Sequence, residues 1–389
     1  MIYIHIPFCH RKCTYCAFFS QPIAMDRTTK LGEVARRAGG VCQPAADLTR
    51  YVDALCRELE IRRHSMEGPV RTVYFGGGTP SMLPIDLLAR IVETLRRCYN
   101  LTALEECTLE ANPEDLTPQY LAALRKVGLV DRVSIGVQSL HDDELRRLNR
   151  RHTAAQAIEA VHNTAAAGFG NVSIDLIYGI PGQTEESWLD TLGQVATLPV
   201  KHLSAYALTV EPGTILERQI GQGRVPAVDD EVAVAHYKAL LSWTQEQGLE
   251  QYEISNFARP GWRSRHNSRY WNRTPYLGAG AAAHSFDGEY RRWNVSDVAQ
   301  YCTLLETGRV PHDEEQLTLR DAHNEYLMTA LRTVEGIDKS FVPPPFYRDM
   351  ESKIQKFIAS GLIEETTTHY RPAPEGLLHA DGMAADLFA

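Results

Sequence analysis

The sequence predicts an α/β protein, a parallel sheet with helical crossovers followed by a small C-terminal winged-helix-like domain. Two observations carry the first part: short β-rich runs recur, and each is followed by a segment of helical periodicity. Runs such as Val73-Tyr74-Phe75 and Val133-Ser134-Ile135 are mostly apolar, β-branched or aromatic, as expected of parallel strands covered on both faces. The second part rests on the loss of that rhythm from about Pro311 onward.

In chain order the expected strands are Ile2–Ile6, Thr72–Gly76, Glu106–Ala111, Arg132–Val137, Asn171–Leu176 and His202–Leu208. Helical segments near 50–63, 85–99, 116–127, 154–168 and 185–197 supply the right-handed crossovers between them. Alternation alone does not separate a barrel from an open sheet. Residues 1–310 form the first domain, with a rim extension; a polar, aperiodic stretch at about 21–48, containing Gly39-Gly40, reads as a mobile insertion. In the second domain, 311–389, helices near 317–333 and 349–360 precede Gly361, an extended pair around 362–372 and a last helix.

A length of 389 residues accommodates one large core and one smaller one. No run of about 18 apolar residues occurs, and the apolar start Met1-Ile2-Tyr3-Ile4 breaks at His5, too early for a secretory signal. A cytoplasmic protein is expected, in which eight cysteines point to metal ligation or packing rather than disulfides. The formal net charge of −9 argues against nucleic-acid binding, since phosphate contacts need a basic surface. Residues 312–389 carry 14 acidic against 7 basic side chains, so the winged-helix-like domain is a poor phosphate tracker. A small-molecule or protein partner fits better.

Cys9-x-x-x-Cys13-x-x-Cys16 follows the first strand directly, placing three thiols on one loop at its C-terminal end, where ligands bind in such folds. Three thiolates can hold three irons of a cubane and leave the fourth open. Two other readings stand beside this one: a zinc site completed by His5 or His10, and three cysteines packed as small hydrophobes. Cys42, Cys56, Cys98, Cys107 and Cys302 share no such spacing and read as packing residues.

The segment from Tyr3-Ile4-His5-Ile6-Pro7-Phe8-Cys9 to Tyr15-Cys16 resembles the radical S-adenosylmethionine (SAM) superfamily, in the branch of oxygen-independent coproporphyrinogen III oxidases and HemW heme chaperones. The likeness covers nearly the whole chain. It implies a partial (β/α)6 barrel, a [4Fe–4S] cluster on Cys9, Cys13 and Cys16, and SAM on the open iron, with Tyr3 and Tyr15 among the cofactor-binding residues. Gly76-Gly77-Gly78-Thr79-Pro80 ends the second strand, where missing side chains let backbone amides approach a ligand; Gly77, Gly78 and Thr79 match the family segment that binds the methionine amine. By the same resemblance Glu110 contacts the ribose, and Gln138, Arg150 and Asp175 complete the SAM pocket, Arg150 as a carboxylate partner. Taken alone, Arg150 is equally a solvated helix-end charge, and Asp175 a hydrogen bonder at the barrel mouth.

Two features lean toward the chaperone side of the branch. The oxidase pattern has a further Cys two residues after the third ligand, where this chain has Phe18, and the chain enters its first strand at Ile2 without the oxidase's long N-terminal extension. His266-Asn267-Ser268-Arg269-Tyr270-Trp271 also matches the His-Asn-x-x-Tyr-Trp pattern of the chaperones. An imidazole can ligate heme iron, and Tyr270 and Trp271 offer flat apolar surface; the other reading of His266 is a structural imidazole at the barrel rim. His284 is a second candidate for the heme ligand, although its Gly and Ala neighbours favour close packing. The resemblance implies heme and heme-accepting respiratory apoproteins as partners, with room for peripheral membrane contact through them and for a homodimer. A radical enzyme acting on a porphyrin, either the oxidase or a heme-modifying methyltransferase, is the competing function.

Overall fold

The computed structural model describes residues 1–23, 45–66 and 68–389. β1 (Ile2–Ile6), β2 (Thr72–Gly77), β3 (Glu106–Ala111), β4 (Arg132–Gln138), β5 (Asn171–Tyr178) and β6 (His202–Ala207) lie side by side in chain order, all parallel. β7 (Glu250–Glu253) and β8 (Asn256–Ala258) continue the sheet antiparallel beyond β6, and β9 (Leu277–Ala279) runs parallel to β1 at the opposite edge. The outermost strands β7 and β9 do not pair with each other, so the barrel is partial.

All six expected strands form, but not as apolar ribbons. On β3, Cys107, Leu109 and Ala111 join the main hydrophobic core, while Glu106, Thr108 and Glu110 point the other way. The same two-residue period puts Val133, Ile135 and Val137 in the core and Arg132, Ser134 and Gln138 opposite, and divides β5 and β6 likewise. One face therefore packs on the crossover helices and the other lines a polar barrel interior. This corrects the expectation of strands apolar on both faces: the interior carries chemistry in place of branched aliphatic layers.

The crossover helices begin and end on local signals. Thr117 caps Pro118–Val127 by accepting from Tyr120 N at 3.2 Å, and Gly128, at φ +72°, ends it in a left-handed turn. Thr153 and Gln156 form a capping box on Ala154–Ala166. The first crossover helix starts at Ala45, earlier than expected, and Gln21–Pro22 pairs in parallel with Phe8–Cys9. Both ends of the stretch expected to be a mobile insertion are thus regular structure; its remainder, 24–44, lies outside the described residues. The buried Glu58 ties that first helix to the rim, accepting from Arg62 Nη1 (2.9 Å), Gly280 N (2.8 Å), Asn294 Nδ2 (2.8 Å) and Tyr301 Oη (2.5 Å).

The C-terminal part is winged-helix-like, as expected. Helices Leu319–Ala330, Pro344–Ala359 and Ala380–Leu387 pack with a three-stranded sheet whose central strand is His369–Pro372, around a separate core including Leu327, Met350, Ile354 and Tyr370. The middle helix starts five residues before the expected 349, because Pro344 and Pro345 occupy first-turn positions where a missing N–H costs nothing. His312–Gln316, just past the boundary expected at 310, pairs instead with Tyr290–Asn294 of the rim.

Candidate cofactor site at the C-terminal ends of the strands

Cys9, Cys13 and Cys16 are half-buried free thiols. Their loop is fastened from behind: Thr14 N donates to Leu148 O (3.2 Å), Thr14 Oγ1 to Arg147 O (3.1 Å), Leu216 N to Thr14 O (2.8 Å) and Asn149 Nδ2 to Lys12 O (2.8 Å). Burial pushes the Cys9 thiol up to about 11 and raises Cys16 as well, so thiolates at this depth call for a bound cation. Among the described residues no three His, Cys, Asp or Glu side chains gather around a single ion. Both proposed zinc partners are also engaged elsewhere: His5 Nδ1 bonds Tyr3 Oη at 2.9 Å and its Nε2 Phe19 O at 3.3 Å, and His10 faces Asp115 at 3.6 Å.

The glycine run is a packing device as well as an open backbone. A Cβ on Gly77, at φ +115°, would stand 2.6 Å from the His5 ring, and one on Gly78 would stand 2.4 Å from Phe8 O. Side chains are excluded there, which leaves the end of β2 bare beside the cysteines. Gly77 N donates to Glu110 Oε2 at 3.1 Å and Tyr74 Oη to Glu110 Oε1 at 2.7 Å. Burial, reinforced by the nearby Asp175 and only partly relieved by the Tyr74 hydrogen bond, lifts Glu110 to about 7. Tyr3 stacks on Tyr74 at 6.1 Å, so the two rings form one wall behind that carboxylate.

Arg150 donates to Asn112 Oδ1 (2.7 Å), Gly136 O (2.7 Å) and Cys13 Sγ (3.5 Å), so its charge is engaged within the protein and not a solvated helix-end charge. Gln138, at φ +69° beside a break in the β4–β5 register, folds over Gly136, where a Cβ would lie 2.8 Å from its Nε2. Asp175 accepts from Ser134 Oγ at 3.3 Å, and burial raises its pKa. Tyr15 packs on a small apolar cluster that contains Leu148, Ile177 and Ile180. Asn112 went unnoticed as a site residue. It continues the face of Glu110 two residues on, held extended before Pro113 (φ −89°, ψ 147°), so alternation carried one step past the strand would have found it.

His266 lies elsewhere. Thr72, Glu106, Arg132 and His202 are the first residues of their strands, and Thr72 and Glu106 hold helix Arg265–Trp271 at that N-terminal end of the barrel, opposite the cysteines. Glu106 accepts from Arg265 N (2.9 Å) and His266 N (3.0 Å), and Arg132 reaches His202 Nδ1 (3.3 Å). His266 is 0% exposed, with Nδ1 on Thr72 Oγ1 at 2.9 Å and Nε2 on Tyr270 Oη at 3.2 Å. Burial lowers its pKa to about 3. The flat surfaces expected beside it are also occupied, Tyr270 by Tyr276 at 4.8 Å and Trp271 by Arg332 at 5.4 Å. In this arrangement both ring nitrogens of His266 are engaged within the protein. At His284 the backbone carbonyl packs closely on Gly278, while the side chain is exposed beside Trp293 at 6.2 Å.

Residues 3–195 match the radical SAM superfamily and residues 317–379 the HemN C-terminal domain. The chain is 36% identical over 338 residues to a heme chaperone HemW of Mycobacterium tuberculosis, covering 86% of this chain and 82% of that protein. It is 38% identical over 410 residues to the mitochondrial radical S-adenosyl methionine domain-containing protein 1 of Bos taurus, covering all of this chain and 87% of that one. Among solved structures, coproporphyrinogen III oxidase (HemN) from Escherichia coli superposes with a TM-score of 0.81 at 23% identity, over 100% of this chain and 89% of the other, which establishes the shared fold. With the cysteine loop, the glycine-ended second strand and the C-terminal domain all in place, the chain belongs to the radical SAM superfamily, to its HemN-like branch, and within that branch to the family of the heme chaperone HemW.

Proposed function

We propose that the protein is a heme chaperone that carries a [4Fe–4S] cluster on Cys9, Cys13 and Cys16, holds SAM beside it, and passes heme to heme-dependent apoproteins, respiratory ones among them. The observation that carries this reading is Phe18, 73% exposed, standing where the oxidase pattern has a further cysteine. When bound, the reduced cluster supplies the electron that breaks a sulfonium C–S bond of SAM. The chain's own residues do the holding. Gly77, Gly78 and Thr79 present bare backbone to the methionine amine, and Glu110 offers a carboxylate to the ribose diol. Arg150 pairs with the methionine carboxylate, while Gln138 and Asp175 supply polar partners across the barrel interior. For heme, the exposed His284, rather than His266, would offer its imidazole to the iron, with Trp293 as neighbouring flat surface. The protein works in the cytoplasm, meets membrane-bound acceptors only at their periphery, and has no nucleic-acid partner; a homodimer is compatible with this role.

The test is anaerobic reconstitution, followed by heme titration and an assay for 5′-deoxyadenosine and porphyrinogen decarboxylation. Heme binding without decarboxylation is the expected result. Decarboxylation of a porphyrinogen would replace the chaperone by the enzyme. Iron and sulfide analysis of Cys9→Ala, Cys13→Ala and Cys16→Ala should show loss of the cubane in each, and an intact cluster in Cys13→Ala would sink the ligand assignment.

A further inference from the structure

Asn112 joins two of the three cysteines through a continuous hydrogen-bonded chain. Its Nδ2 donates to Thr79 Oγ1 at 3.2 Å, and Thr79 Oγ1 donates to Cys9 Sγ at 3.5 Å. On its other side Oδ1 accepts from Arg150 Nη2 at 2.7 Å, while Arg150 Nη1 donates to Cys13 Sγ at 3.5 Å. Donor chemistry fixes the direction of every link. A guanidinium only donates, so the amide oxygen must face Arg150 and the amide nitrogen must face Thr79. The hydroxyl of Thr79, accepting from Asn112, has its single proton left for Cys9.

We propose that Asn112 is a positioning residue that aims the Thr79 and Arg150 donors at the Cys9 and Cys13 sulfurs and thereby raises the reduction potential of the cluster. Donors to ligand sulfur favour the more negative, reduced state, and hydrogen bonding to the sulfurs is one of the quantities that sets such potentials. The proposal rests on the cluster assignment made above. Neither sulfur depends on the chain alone, since Ser20 also lies beside Cys9 and Tyr15 beside Cys13. Losing the chain should therefore shift the potential while the cluster stays bound. The Asn112 backbone is held independently, its N–H on Ser81 Oγ at 3.1 Å and Ser81 in turn on Asp115 at 2.7 Å, so the side chain can be changed without releasing the turn.

The experiment is a redox titration of the reconstituted full-length protein followed by electron paramagnetic resonance, with iron and sulfide content measured alongside. Asn112→Leu should keep its cluster and move to a lower potential with altered g-values. Thr79→Val should move the same way, and the double variant should move by less than the sum of the two. A wild-type potential in Asn112→Leu, or strictly additive shifts, would overturn the proposal. Should Asn112→Leu fail to take up a cluster, Thr79→Ser, which keeps the hydroxyl, should retain the wild-type potential that Thr79→Val loses; equal potentials in that pair would likewise overturn it. A wild-type protein without a cluster would refute the proposed function, a result distinct from either of these.

Discussion

Glu110 accepts from Tyr74 Oη and Gly77 N while burial holds it near 7, against an ordinary 4.5. A carboxyl raised in the folded state binds more protons folded than unfolded, so its effect on stability worsens as pH rises from about 4.5 to about 7 and stays at full cost above that. Glu110→Gln should therefore melt higher than wild type at pH 8, by on the order of 2 kcal/mol, with the difference vanishing below about pH 4.5. The same variant should bind SAM roughly ten- to hundredfold more weakly, because it offers the ribose a poorer acceptor. Thermal melts across pH and SAM titrations check both halves. Equal melting points at pH 8 would mean that the carboxylate is better solvated than its surroundings suggest. Glu110 was singled out in the sequence by its place near the end of a strand and by the family resemblance, not by the polar face that the structure gives it. Asn112 was not, since its role depends on partners 33 and 38 residues away.

Helix Arg265–Trp271 shows how one element can carry a suggestive motif for structural reasons. Its N-terminal amides rest on Glu106, and His266 bonds Thr72 and Tyr270 inside the barrel. His266→Ala should lower stability by about 1–3 kcal/mol, because it leaves buried partners unsatisfied. The heme difference spectrum and cluster content should stay as in wild type, whereas His284→Ala should change the spectrum. A perturbed heme spectrum in His266→Ala would show that the helix leaves its seat when heme binds. The helix Ala45–Ile61 depends similarly on one carboxylate. Glu58→Ala would leave Arg62 with less compensation and unseat Gly280, Asn294 and Tyr301, so a loss of about 3–5 kcal/mol is expected in chemical denaturation. Glu58→Gln should recover part of it.

At the scale of the molecule, the two cores are joined by polar contacts and by Ile254 of the barrel part, which packs on the C-terminal core. Glu325 of the C-terminal domain pairs with Arg273 at 2.7 Å and Arg291 at 2.9 Å, and Glu253 of the barrel sheet bridges to Thr333. Glu325→Ala should cost about 1 kcal/mol overall, and hydrogen exchange should rise first in Leu319–Ala330 while the barrel strands stay protected. Uniform loss of protection would mean that the domains unfold as one unit. Among the described residues no helix is long and apolar enough to cross a membrane.

The sequence alone determined the six parallel strands, their crossover helices, the winged-helix-like end and the cysteine loop, because these follow from local periodicity and from spacing within eight residues. It also placed Glu110 and Gln138 at the ends of their strands and Arg150 after the following helix, whereas Asp175, expected at a strand end, lies inside Asn171–Tyr178. Tertiary structure decided which face of each strand turns inward, which edge receives β9, and at which end of the barrel each histidine lies. Those depend on contacts between residues far apart in the chain: His266 meets Thr72 across 194 positions, and no window of sequence contains both.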